Sequence, residues 1–115
     1  MKEFMMIFIG ADYTELGLSP EDLQSRMGKW FAWNDKMTQA GIVSHGNALT
    51  PQIRRIVGKN RTVTDLTSAE VKEIVGGYYI VKAKDFDAVE KIAEDYPDYD
   101  LGGTLEIREI MVFDQ

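Results

Sequence analysis

Six consecutive apolar residues, Phe4-Met5-Met6-Ile7-Phe8-Ile9, constrain the fold of this chain more than any other feature. The run is too short for an ordinary helix. A strand sends successive side chains to opposite faces, and here both faces are apolar, so the run predicts a central strand covered on both sides. It falls far short of the roughly 20 residues that a membrane helix needs. Without a basic leader or a small-residue cleavage site it does not read as a signal peptide. The expected residence is cytoplasmic, with no membrane partner.

The length of 115 residues suits one domain spanning 1–115. With 44% hydrophobic and 28% charged residues the chain can build a core. Its 13 basic and 19 acidic residues give a net charge of −6. That sign argues against a nucleic-acid partner, because such affinity comes largely from Lys and Arg displacing counterions. The absence of cysteine excludes disulfides, thiolate nucleophiles and cysteine zinc sites.

Along the chain, Gly10 to Gly17 reads as a loop rich in turn formers. Ser19-Pro20-Glu21-Asp22 starts a helix: Ser19 caps it, Pro20 suits its first position, and two acids face the positive end of its dipole. Leu23, Met27, Trp30, Phe31, Trp33 and Met37 follow one broad helical face, and Gly41 stops the helix. Phe31 and Trp33 flank that face on opposite sides, which predicts that one of them is only half covered. Ile42 to Leu49 reads as a short strand interrupted at His45-Gly46-Asn47. Ile53 to Val57 and Arg61 to Thr64 flank Gly58-Lys59-Asn60 as a hairpin, and Tyr78-Tyr79-Ile80-Val81 follows Gly76-Gly77 as a strong strand. Asp85 caps a second helix that ends before Pro97, and a last strand runs from Leu105 through Ile110 to Phe113. The order predicts a βαββαβ core with an inserted β-hairpin, an α+β sandwich with its helices on one face of an antiparallel sheet.

Few residues are equipped for chemistry. His45 is the single histidine, too few for an imidazole metal cluster, so no metal is expected. As an acid or base His45 needs a partner to orient it; otherwise it is a solvated or hydrogen-bonded loop histidine. Asp65 follows the strand Thr62-Val63-Thr64, where it serves either as a turn or cap residue or as the functional side chain of a loop. Tyr13 and Tyr78 are further proton-donor candidates, and Thr67-Ser68 with Glu70 and Val71-Lys72-Glu73 suits a short helical turn. Gly76-Gly77 and Gly102-Gly103 match neither nucleotide-binding fingerprint, and no cofactor is implied. Glu94, Asp95, Asp98 and Asp100 read as a solvated acidic exit from the second helix, and Arg54, Arg55, Lys59 and Arg61 as a solvated basic hairpin.

Four stretches in order carry a resemblance that spans nearly the whole chain. They are the opening strand with Leu18-Ser19-Pro20-Glu21; Ala40-Gly41-Ile42-Val43 continuing to Gly46, Leu49 and Pro51; Val63-Thr64-Asp65 with Ala69-Glu70, Lys72-Glu73 and Gly76 to Ile80; and Tyr96-Pro97 with Gly102-Gly103-Thr104, Glu106 and Arg108. Together they resemble the YCII-related family in its branch named for a DGPF motif. The chain departs from that motif, with Asp65-Leu66-Thr67-Ser68 where the family shows Asp-Gly-Pro-Phe. Relatives carry a histidine on the first helix as part of a proposed His–Asp dyad, and Trp30 stands near that place here. The resemblance implies a ferredoxin-like fold that dimerises through its sheets into an α+β barrel. It also implies activities such as dechlorination of hydroxylated aromatics in some relatives, and association with sigma factors in others.

The leading expectation is a small homodimer that binds a small organic ligand in a cleft between helix and sheet; whether it turns that ligand over is open at this point, and the enzyme hypothesis gives it acid/base chemistry of a lyase or dehalogenase kind. Asp65 and His45 are the catalytic candidates, and Tyr13, Trp30 and Tyr78 the ligand-binding ones. The alternative is a non-catalytic regulatory module of the sigma-factor-associated kind. A weaker third reading is a cofactor-free oxygenase of the related dimeric barrel type. A catabolic gene neighbourhood favours the enzyme, and an adjacent sigma-factor gene favours the module.

Overall fold

The computed structural model describes residues 1–114. Six strands and three α-helices follow in order: β1 (Lys2–Ile9), α1 (Tyr13–Leu16), α2 (Pro20–Gln39), β2 (Val43–Ala48), β3 (Gln52–Val57), β4 (Thr62–Thr67), β5 (Val75–Ala83), α3 (Phe86–Ala93) and β6 (Thr104–Glu109). One-turn 3₁₀ helices at Ser68–Glu70 and Tyr99–Leu101 precede β5 and β6. The main sheet has the order β2-β5-β1-β6 with every pair antiparallel, and β3 and β4 form a separate two-stranded sheet. This is the ferredoxin-like α+β arrangement with a hairpin inserted between its second and third core strands. No helix among the described residues is long and apolar enough to cross a membrane.

Local sequence explains most boundaries. Ser19 Oγ accepts from the amide of Asp22 at 3.1 Å, with Pro20 opening α2. Gly41 takes a φ of +71° just past the end of α2, a conformation in which a Cβ would be strained. Asp85 caps α3 through the amide of Ala88. In the β3–β4 turn, Gly58 and Arg61 both adopt positive φ and the Arg61 amide closes on the Gly58 carbonyl.

Several boundaries depart from expectation, among them that β4 runs on to Thr67 instead of stopping at Thr64. Tyr13–Leu16, read as loop, forms a helical turn because Asp12 caps it. The segment around His45 is continuous strand: a register shift between Val43 and His45 absorbs the break while His45, Gly46 and Asn47 all pair with β5. The last strand ends at Glu109 rather than Phe113: the amide of Ile110 still reaches the carbonyl of Glu3, and by the same register residues 112 and 113 lie past the first residue of β1.

The alternation of β1 sorts its side chains. Phe4, Met6 and Phe8 are buried under α2 and α3, together with Trp33, Met37, Val81, Val89, Ala93 and Tyr96. Trp33 is thus the covered flank of α2 and Phe31 the exposed one. Met5, Ile7 and Ile9 point to the other face and remain half-exposed. Across that open face Met5 stands opposite Ile80 and Arg108, and Ile7 opposite Tyr78 and Glu106. The molecule is correspondingly flat, with extents of 48 × 40 × 19 Å, about the thickness of one helix layer on one sheet.

Candidate functional site

The end of β1 is where backbone geometry is least ordinary. Gly10 and Ala11 take positive φ in succession, +79° and +53°. Alanine seldom adopts that conformation, and such outliers persist only where the surroundings impose them. The Gly10 amide donates to the Ile74 carbonyl at 2.9 Å, and its α-carbon faces the carbonyl of Gly102. Three connections therefore converge here: β1 to α1, the segment before β5, and α3 to β6. Asp12 caps α1 with Oδ1, which accepts from the Thr14 amide at 3.1 Å, while its Oδ2 is buried without a hydrogen-bond partner.

The cap aims Tyr13 at Asp98, in the segment after α3. Asp98 is 4% exposed. The Tyr13 hydroxyl donates to this carboxylate, 2.9 Å from Oδ1 and 2.7 Å from Oδ2. From α2, Trp30 Nε1 donates to the Tyr13 hydroxyl at 2.9 Å and approaches Asp98 Oδ2 at 3.2 Å. One turn earlier on the same helix face, Arg26 places Nη1 3.6 Å from Asp98 Oδ1. Arg26 also donates to the Pro97 carbonyl at 2.8 Å and forks onto Asp100 at 2.6 and 2.5 Å. The Asp98 carbonyl accepts from the amides of Leu101 and Gly103, which fixes the turn that carries the carboxylate.

Burial is the main reason that Tyr13 holds its proton well above the ordinary phenol range, and the hydrogen bond to Asp98 adds to it. A neutral phenol, an indole N–H and a guanidinium thus surround one buried carboxylate. The Arg26 fork holds Asp100 down at about 2. It also holds the Arg26 guanidinium above its ordinary range, against an opposing contribution from burial.

Aromatic rings wall this polar knot. Trp30 lies edge-on to Phe8 and Tyr96, with centroids 5.0 and 5.6 Å away, and tilted against Trp33 at 5.5 Å. Phe8 stacks on Tyr96 at 5.3 Å. Two glycines make room. A Cβ at Gly46 would collide with the ring of Tyr79 and come within 2.5 Å of the Tyr78 carbonyl, and one at Gly103 would meet the Tyr96 hydroxyl. Burial raises the Tyr96 phenol, and Asp98 adds to that, so this hydroxyl too stays neutral.

Of the residues singled out from sequence, Tyr13 and Trp30 come together. Tyr78 and His45 lie elsewhere, on the open sheet face, their ring centroids 6.3 Å apart and the Tyr78 hydroxyl accepting from Asn47 Nδ2 at 3.0 Å. Asp65 sits inside β4 rather than beyond a strand end. It is paired across the hairpin with Arg54 at 2.7 Å and 68% exposed, on a surface depression shared with Gln52, Ile53, Leu66 and Thr67. Nor does Asp65 cap the following turn: the Glu70 carboxylate accepts from the amide and hydroxyl of Thr67. Arg26 and Asp98 were not singled out as site residues. Asp98, expected to be solvated, is buried because α1, α2 and the α3–β6 connection close over it, and no periodicity reports that closure. The one local signal is its place between Tyr96-Pro97 and Gly102-Gly103. Among the described residues no group of three or more His, Asp and Glu side chains is arranged to hold a metal ion.

A family model described as the YCII-related domain matches residues 4–114. No curated protein matches the chain.

Proposed function

The chain belongs to the YCII-related family, and from that premise we propose that it is a small homodimeric protein that binds a small organic ligand where α2 meets the end of the sheet, with Asp98, Tyr13 and Trp30 as the polar contacts. The observation that carries this reading is the buried carboxylate of Asp98 ringed by a phenol, an indole and a guanidinium. A buried charge adds little to stability compared with an apolar residue of the same size, so its presence asks for a use. The strained Ala11 and the unpartnered oxygen of Asp12 lie on the same loop as Tyr13. Aromatic walls suit an apolar ligand body, and a ligand hydroxyl or amine that takes the place of the Tyr13 donor is the polar group that Asp98 accepts from.

In this reading Asp98 accepts a hydrogen bond from the ligand, and Tyr13, held neutral by burial, donates one. The second reading is a non-catalytic interaction module. The Tyr13 hydroxyl favours it, because it already accepts from Trp30 and donates to Asp98. The half-exposed Met5, Ile7 and Ile9 support the homodimer, because a partner's sheet packed about 10 Å away would cover them. A thermal-shift screen against phenolic and acidic metabolites, repeated with Asp98→Asn, tests the ligand site. Stabilisation of the native chain that the variant loses supports it, and an equal response in both excludes Asp98 as a contact.

A further inference from the structure

The β3–β4 hairpin stands away from the body. Its extensive packing is between its own two strands, and only Ile53 and Leu66 at its base are half-buried. An isolated two-stranded hairpin is marginal in water, so an arm of this kind gains from a surface to lie on. The radius of gyration, 15.9 Å, exceeds the roughly 13 Å of a compact chain this long.

The arm has a definite chemistry. Near its tip Ile56, Val57 and Val63 are 63%, 52% and 56% exposed, with Ile56 and Val63 directly opposite each other. Around them lie Arg54, Arg55, Lys59 and Arg61, against the single carboxylate of Asp65. The arm therefore carries +3 in a chain whose total is −6, which leaves −9 on the rest. Arg55, Lys59 and Arg61 form no ion pair among the described residues.

The same chain holds a surface of the opposite character. Between α3 and β6 runs a groove lined by Ala93, Tyr99, Leu105 and Ile107, with Glu90 and Glu94 on its rim. Tyr99 shapes it by donating to the Ala93 carbonyl at 2.8 Å. The groove lies at the β6 edge of the sheet, whereas the arm leaves from β2 at the opposite edge. An apolar strip with basic flanks and an apolar floor with acidic flanks, carried at opposite edges of one chain, are complementary between two copies.

We infer that the β3–β4 arm docks into the α3–β6 groove of a second copy, with the cross-strand pair Ile56 and Val63 against the apolar floor and Lys59 and Arg61 of the turn beside Glu90 and Glu94. The inference stands apart from both the ligand reading and the pairing of sheet faces. A two-fold exchange of arms makes the assembly closed.

The chain has no cysteine, so single introduced thiols are unambiguous reporters. Val63→Cys protein is mixed with Glu94→Cys protein under mild oxidation, beside a control mixture of Val63→Cys with Glu21→Cys in the first turn of α2. The expected result is a disulfide-linked species of twice 13.0 kDa, formed at least tenfold faster in the first mixture than in the control, a ratio of about 1.4 kcal/mol in local preference. High salt should slow it, and Glu90→Lys in the Glu94→Cys partner should slow it further. Equal rates in the two mixtures overturn the inference, even where sedimentation shows a dimer, because that dimer then leaves the arm free. Arm-dependent retention of nucleic acid with equal rates assigns the basic strip to another partner and overturns it too.

Discussion

The Tyr13 hydroxyl donates to both carboxylate oxygens of Asp98, joining residues 85 positions apart at 2.9 and 2.7 Å. This one contact ties the turn after β1 to the segment after α3, and Trp30 of α2 closes it from the third side. It is the point at which the helix layer is fastened to the end of the sheet, and the point at which the chain keeps a charge out of water.

Tyr13→Phe removes the donor while preserving the ring. It leaves Asp98 buried with Trp30 and Arg26 only, so the expected loss of stability is about 1–3 kcal/mol. Asp98→Asn in the Tyr13→Phe background should cost less than it does in the native chain, because the two groups act together. Urea unfolding of the two single variants and the double variant checks this. Additive losses would mean that the contact contributes nothing of its own.

Acid stability has a defined window through Asp100. Its folded pKa is depressed from 3.8 to about 2 by the Arg26 fork. A depressed carboxylate contributes stability that is full above the unfolded value and lost as pH falls through the folded one. The contribution should disappear between about pH 4 and pH 2. Asp100→Asn, already lacking it, should show a shallower fall across that window in chemical denaturation at each pH.

At the alkaline end the sign reverses. Burial raises the phenols of Tyr13, Tyr79, Tyr96 and Tyr99 above 10.0 in the folded chain. A raised phenol contributes stability that is full below the unfolded value and lost as pH climbs above it. Near pH 11, about one unit above the ordinary phenol value, the folded protein should show far less phenolate absorbance than the same chain in denaturant. Equal absorbance in the two states would contradict the burial of these hydroxyls.

How far the sequence reaches is clear from particular residues. Phe4 to Ile9, Ser19, Gly41 and Asp85 act through their own neighbourhood, so the first strand, the cap of α2, its stop and the cap of α3 are readable from composition and spacing. His45-Gly46-Asn47 looks like a break because glycine and asparagine disfavour strands. An edge strand with a register shift tolerates them, and Gly46 is required by the Tyr79 ring laid over it. Trp30 is recognisable as a candidate because it stands near the place of the histidine that relatives carry on the first helix, and Tyr13 because its phenol can donate a proton from the loop after the first strand. Asp98 is not, because a carboxylate among Glu94, Asp95 and Asp100 looks solvated until the tertiary fold closes over it. Asp65 shows the converse: its side chain is held by Arg54 across the hairpin and stays in solvent.

The Tyr13–Trp30–Asp98 knot is proposed as the place where a small organic ligand binds. The most direct measurement follows the indole N–H signals of Trp30 and Trp33 by nuclear magnetic resonance while phenols, hydroxy acids and amines are titrated in. Trp30 donates into the knot, whereas Trp33 donates to the Ile92 carbonyl behind it and serves as an internal control. A binding compound should shift the Trp30 signal saturably and the Trp33 signal much less, and Asp98→Asn should abolish the response. A compound that binds with the Trp30 signal unmoved, or equally well to the Asp98→Asn chain, would contradict this placement of the site.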